Sequence, residues 1–251
     1  YKDSNFKKVI KSKKAYRIKD EKYIDDRLKV IEGIVSVNDI KVKAKELDLT
    51  ITEYLTSVLI KSIGGLKSKS KKPIVITIPV NLRKYYPTYT VRNFFSVVNI
   101  DYSYNIDSFK EITKSVKKSF KEKLDKENIK DKMNSMIKLE DIFIVRLIPV
   151  FIKDLVLKIA CNIENEYQTM TLSNIGIINM PDIYKKYIDY FSVFTSTSKI
   201  QMCMCSYNDK MVISFSSKFV NSEIEKNFFK FLSKVGIDVI INTNDYGDYN
   251  E

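Results

Sequence analysis

Two stretches in the last third of the chain hold residue types suited to a reacting carbonyl. Thr171-Leu172-Ser173-Asn174-Ile175-Gly176 is a small, polar break inside a strand-like run. Ser216-Ser217-Lys218-Phe219-Val220-Asn221-Ser222 follows another strand-like run and leads into an amphipathic helix. Ser173 offers a hydroxyl, and the turn favoured by Asn174 and Gly176 aims it and nearby amides into a cleft. Donors of that kind stabilise the oxyanion of a tetrahedral intermediate. The same Ser-Asn-x-Gly pattern also fits a bulge or turn closing a strand. Acyl transfer to an alcohol further needs a base with a pKa near neutrality, and histidine is the common choice. This chain has no histidine. Serine cannot serve as a base near pH 7, so Ser217 and Ser222 do not replace one, and Asn221 carries no charge.

The elements that must hold these stretches can be read from periodicity and caps. Strand-like runs cover Ile34–Val37, Pro73–Val80, Asn93–Ile100, Met170–Ile178, Phe191–Thr195, Ile200–Ser206 and Met211–Phe215, rich in β-branched residues. Tyr207-Asn208-Asp209-Lys210 reads as the hairpin turn joining the last two. Asn38 is a candidate cap for a helix carrying Ile40 and Ala44. Capping boxes at Thr50/Glu53, Ser108/Glu111 and Ser222/Glu225 open three further helices. Residues 128–139 and 149–163 also read as helices, the second apolar enough to be mostly buried. Residues 1–30 are polar and lysine-rich and read as a linker or crossover segment. Residues 31–241 form one unit, and 242–251 a flexible tail. Mixed strands and helices without a tandem repeat predict an α/β two-layer sandwich, a mixed β-sheet flanked by helices.

Composition narrows the function classes. The net charge is +12, from 43 basic and 31 acidic residues. The basic residues are mostly lysine, with arginine at Arg17, Arg27, Arg83, Arg92 and Arg146. Nucleic-acid readers favour arginine for bidentate contacts, so a nucleic-acid partner is not expected. The basic balance suits a polyanionic ligand. No apolar run has the length of a membrane span, so no membrane partner is expected. Cys161, Cys203 and Cys205 are too few for a disulfide framework and suit a reducing, cytoplasmic setting. Cys203 and Cys205 alternate with Met202 and Met204 and read as buried small hydrophobes. Without histidine or a second cysteine pair no zinc site is expected. The chain opens on Tyr1 rather than Met, which points to a longer parent protein.

Several stretches together resemble the chloramphenicol acetyltransferase-like superfamily of CoA-dependent acyltransferases. Thr171 to Gly176 is similar to the segment of dihydrolipoyl acyltransferases that supplies an oxyanion donor. Downstream, where that family carries His-x-x-x-Asp-Gly between a strand and a helix, this chain has Ser217-x-x-x-Asn221-Ser222. Ile78-Pro79-Val80-Asn81-Leu82-Arg83 resembles the strand and turn before a loop near the substrate tunnel. Arg92-Asn93-Phe94-Phe95-Ser96-Val97-Val98-Asn99 resembles the following strand, whose asparagine lies near the channel. Gly33 to Ile63 resembles the strand and helix pair that opens one half of the fold. The pattern departs from plant acyltransferases, whose Asp-Phe-Gly-Trp-Gly signature is absent, and from the usual glycine before the channel asparagine.

The resemblance implies the C-terminal half-domain of a bacterial alcohol acetyltransferase or condensation-domain-like protein. The catalytic histidine would stand on an N-terminal half of the same protein. Acetyl-CoA or another acyl-CoA would be a co-substrate, with no tightly bound cofactor, and an alcohol the acceptor. Ser173 would be the oxyanion donor. Asn81, Arg83, Arg92, Asn99, Asn174 and Gly176 would line the substrate tunnel, and Ser217, Asn221 and Ser222 would mark the degenerate motif. For Arg83 and Arg92 two roles stay open, holding a phosphate or fixing the loop between two strands. Asn81 and Asn99 are open likewise between tunnel lining and bonds that hold strand ends. A non-catalytic binding module and condensation chemistry are the alternative functions. A half-domain would also expose an apolar flank, through which a homodimer is expected.

Overall fold

The computed structural model describes residues 13–67, 70–105, 108–140, 149–196 and 198–245, side chains in 135–140 excepted. Residues 1–12 of the leading segment, Arg146, and 246–251 of the tail lie outside them. The strands are β1 (Lys29–Ser36), β2 (Ile74–Asn81), β3 (Phe95–Tyr102), β4 (Met170–Ile177), β5 (Gln201–Tyr207), β6 (Lys210–Ser217) and β7 (Ile240–Thr243). The helices are α1 (Val37–Glu46), α2 (Ile51–Gly64), α3 (Phe109–Lys123), α4 (Lys126–Glu140), α5 (Val150–Asn165), α6 (Asp182–Lys185) and α7 (Glu223–Lys234). A 3₁₀ turn spans Leu82–Lys84.

The strands form one sheet in the order β3-β2-β4-β5-β6-β1-β7. β4 runs parallel to both β2 and β5, and the other pairs are antiparallel. This is the mixed α/β sheet flanked by helices that the alternation of elements predicts. Alternate residues of each strand point to one face. Ile76, Ile100, Leu172, Met202, Ile213 and Val35 meet α1, α2, α3 and α7 in a continuous core. α2 sits centrally, with Leu55, Val58, Leu59 and Ile63 fully buried. Gly33 on β1 lies where a Cβ would stand 2.1 Å from the Phe229 ring, so the close approach of α7 to the sheet requires glycine there.

Local signals place most ends. The capping boxes at Thr50/Glu53 and Ser108/Glu111 both close. The β5–β6 hairpin turns at Asn208, which takes a φ of 52°. Ser36, rather than Asn38, caps α1, its hydroxyl accepting from the Asp39 amide at 3.1 Å. The leading segment is stitched down where it is described. The Ala15 amide donates to the Glu166 carbonyl, the Tyr16 amide to Pro73, and the Val220 amide to Glu21. β1 begins at Lys29 and β7 continues to Thr243, so strand structure passes both expected boundaries of the central unit.

Two expected elements differ. Residues 191–195 do not join the sheet. They cross its polar face as an extended segment. The thiol of Cys205 donates to the Phe191 carbonyl at 3.1 Å, and the Ser216 hydroxyl to the Thr195 carbonyl at 2.7 Å. Side chains of β5 and β6 thus satisfy backbone groups that a neighbouring strand would otherwise take. The apolar helix at 149–163 forms as α5 but is exposed along its length, not buried. Apolar composition says that such a helix favours a cover. It does not say that the same chain supplies one.

Candidate functional site

β4 runs in regular register beside β5 as far as Asn174 and then bulges between Asn174 and Gly176. The bulge has a local cause. The Asn174 side-chain carbonyl accepts the Gly176 amide at 2.9 Å, and Gly176 takes a φ of +88°, a conformation that favours glycine. The Asn174 amide group donates to the hydroxyl of Thr52 at 3.0 Å, tying the bulge to the first turn of α2. Sequence gave no signal for Thr52, because the partners lie far apart along the chain.

Ser173 is half-buried immediately before this bulge. Its hydroxyl makes no hydrogen bond to another described residue. It lines an open cavity of about 410 Å³ together with Asn174, Asn81, Arg83 and Arg92. Pro79, Phe94, Phe95 and Ile175 supply apolar walls. Five residues singled out from the sequence therefore meet at one place, where the ends of β2 and β4 and the loop before β3 converge.

Their bonding differs. The side-chain carbonyl of Asn81 accepts the Arg83 amide at 3.0 Å and caps the 3₁₀ turn. The Arg83 guanidinium donates to the carbonyls of Thr90 and Arg92 at 2.8 and 2.6 Å. Both hold the loop, one of the two roles left open for each. Arg92 is exposed, and its guanidinium makes no hydrogen bond or ion pair among the described residues. Its positive charge at the cavity is thus uncommitted.

Asn99 and Gly176 fall outside this cavity. Asn99 accepts from the Thr77 hydroxyl at 3.0 Å and borders a separate cleft of about 770 Å³ with Lys123 and Lys132. Lys123 and Lys132 donate to the carbonyls of Asn99 and Val97. They thereby cover the open edge of β3, a common way of keeping an edge strand from pairing further.

Ser217, Asn221 and Ser222 lie at the other end of the sheet. Ser173 is level with Cys203 on β5 and Ser214 on β6. Ser217 is three residues further along and two strands across, roughly 14 Å away by strand geometry. The Ser217 hydroxyl, buried, accepts the Phe219 amide at 3.0 Å. The Asn221 side-chain carbonyl, one residue before the N-cap of α7, accepts the Glu223 amide at 2.8 Å. The expected capping box at Ser222/Glu225 does not form. The Ser222 hydroxyl instead accepts from the Lys29 ammonium at 2.7 Å.

Lys29 is 2 % exposed and also donates to the carbonyls of Val220 and Asn221 at 2.8 and 3.0 Å. Glu225, 1 % exposed, has no hydrogen-bond partner on either carboxylate oxygen among the described residues. Burial pushes the Glu225 carboxyl above the usual range, opposed first by its own backbone amide and then by the charge of Lys29. Burial likewise pulls the Lys29 ammonium below the usual lysine range, opposed by Glu225. Neither residue stands out in the sequence, since a charged residue at a strand start or a helix N-terminus ordinarily faces water.

Neither protein-family models nor curated proteins match the sequence. Solved structures do. The nonribosomal peptide synthetase FmoA3 superposes with a TM-score of 0.59 at 11% identity, over 90% of this chain and 23% of that one. The EpoB cyclization-docking bidomain from Sorangium cellulosum gives 0.52 at 14%, over 83% and 42%. The TRI3 trichothecene 15-O-acetyltransferase from Fusarium sporotrichioides gives 0.51 at 10%, over 88% and 48%. This chain thus spans less than half the length of each of these three. At such identities the likeness concerns the fold, and the fold is the chloramphenicol acetyltransferase-like one of condensation domains and acyltransferases.

Proposed function

We propose that the chain is the C-terminal part of a cytoplasmic, CoA-dependent alcohol O-acetyltransferase. A histidine on the N-terminal half of the same protein removes the alcohol proton. The oxygen attacks the acetyl carbonyl of acetyl-CoA, and the Ser173 hydroxyl donates to the oxyanion. As the intermediate collapses the C–S bond breaks, the ester forms, and the proton passes from histidine to the departing thiolate. Arg92 offers a positive charge to the anionic co-substrate, and Asn81, Arg83 and Asn174 hold the cavity walls.

The observation that carries this reading is the Ser173 hydroxyl, which has no hydrogen-bond partner among the described residues and lies on the wall of an open cavity. The separation of Ser173 from Ser217 supports the rest. A base at Ser217 could not reach a carbonyl held by Ser173 in the same half, so the base must come from elsewhere. The test is release of CoA from acetyl-CoA by the purified chain with ethanol or longer alcohols. No turnover is expected, and turnover by this chain alone would refute the assignment.

A non-catalytic binding module is the second reading. It is favoured by the motif positions, where Ser217, Asn221 and Ser222 are all engaged in holding the loop before α7. The residues that precede Tyr1 in the parent protein decide between the two. A His-His-x-x-x-Asp-Gly run there supports the enzyme. Condensation of carrier-bound groups uses the same fold, and adjoining carrier domains would favour it.

A further inference from the structure

α5 has an organised apolar surface. Phe151, Leu155, Ile159 and Ile163 stand four residues apart and form one ridge, and Ile152 and Val156 begin a second beside it. These six residues are between 39 % and 73 % exposed. Ala160 continues the second ridge with a small side chain, which allows close approach. Two parallel ridges of spacing four leave a groove that accepts the same ridge of another helix, the commonest mode of helix packing.

We propose that α5 pairs with α5 of a second copy of this chain, ridge into groove, about a two-fold axis. The area fits. At roughly 100 Å² for each of the six residues, each copy contributes about 600 Å², and the pair buries about 1,200 Å², the lower bound of a stable interface. A self-complementary patch is what a two-fold interface needs. The charges on the helix argue for protein rather than lipid as the cover. Lys153 and Lys158 are balanced by Asp154 and Glu164, whereas a helix lying on an anionic membrane carries a lysine- and arginine-rich polar face. The pairing stands apart from the acyl-transfer reading, because α5 delivers the chain to the start of β4 while the Ser173 cavity lies at its far end.

Sedimentation velocity on the full chain from about 1 to 100 µM tests the pairing, a range that spans moderate affinities. A concentration-dependent dimer is expected. The double substitution Leu155→Glu/Ile159→Glu is expected to raise the dimer dissociation constant about 100-fold or more, as loss of central apolar anchors does. Far-UV circular dichroism of that variant should be unchanged, since both side chains are exposed. A nitroxide on Cys161, an exposed thiol of α5, adds a second readout. Dipolar coupling between copies is expected in the unsubstituted chain and not in the variant. A monomer at every concentration, a dimer indifferent to the double substitution, or a monomer that sediments with phosphatidylserine vesicles through α5 would each overturn the proposal.

Discussion

Replacing Lys29 with methionine removes a buried cation from beneath the loop before α7, and the cost can be reasoned from its surroundings. The ammonium donates to Val220, Asn221 and Ser222, and its charge opposes the burial of Glu225. Methionine fills a similar volume but donates nothing. It strands two carbonyls and leaves Glu225 without its countercharge. Leaving the Val220 and Asn221 carbonyls and the Ser222 oxygen without their charged donor costs about 1–3 kcal/mol each. Glu225 can limit the loss by taking up a proton, so the low end, about 3 kcal/mol, is expected. With a urea dependence of about 2–3 kcal/mol per molar, the unfolding midpoint should fall by about 1–1.5 M. Urea titration followed by circular dichroism measures this. The double variant Lys29→Met/Glu225→Leu removes both charges and should recover part of the loss, because the unpaired carboxylate is gone while the acceptors at Val220, Asn221 and Ser222 stay without their donor. A single-variant loss below about 1 kcal/mol, or a double variant no better than the single, would refute the argument that Lys29 is present to offset a buried carboxylate.

Three further outcomes follow from particular residues. Glu225 has a folded-state pKa above its unfolded value, so its contribution to stability is present at acid pH and is lost as pH rises from about 4.5 through the raised value. Glu225→Gln should flatten that fall in a series of urea titrations across pH, and an unchanged slope would remove Glu225 as its source. Gly33→Ala forces a methyl group into the Phe229 ring, which is itself held against Phe215 and Phe228, and should cost about 1–3 kcal/mol in thermal or urea unfolding. Under the proposed function, Ser173→Ala in the parent protein should lower kcat about 100- to 1,000-fold with little change in KM, the signature of a lost oxyanion donor. An equal loss in kcat/KM caused entirely by KM would make Ser173 a ground-state binding residue instead.

Patterns that depend on neighbours three or four residues apart were legible without coordinates. The boxes at Thr50/Glu53 and Ser108/Glu111 close because both partners lie within one helical turn. The β5–β6 hairpin turns where Asn208 can adopt a positive φ. Strand-like, β-branched composition marked β2, β4, β5 and β6, and the mixture of strands and helices implied the mixed sheet. The residues around the candidate cavity were also named from the chain, and the loop held by Arg83 brings Arg92 up beside Ser173.

Wherever two distant segments compete for one group, tertiary structure alone decided. Ser222 has the local sequence of a capping box, but Lys29 arrives from β1 and takes its hydroxyl, because a buried ammonium must be satisfied before an exposed helix end. Residues 191–195 have strand composition, but the Cys205 thiol and the Ser216 hydroxyl take up backbone carbonyls at their two ends. α5 has the composition of a buried helix and lies in solvent, because hydrophobicity sets the need for a cover and only the folded arrangement of the rest determines whether the chain itself can meet it.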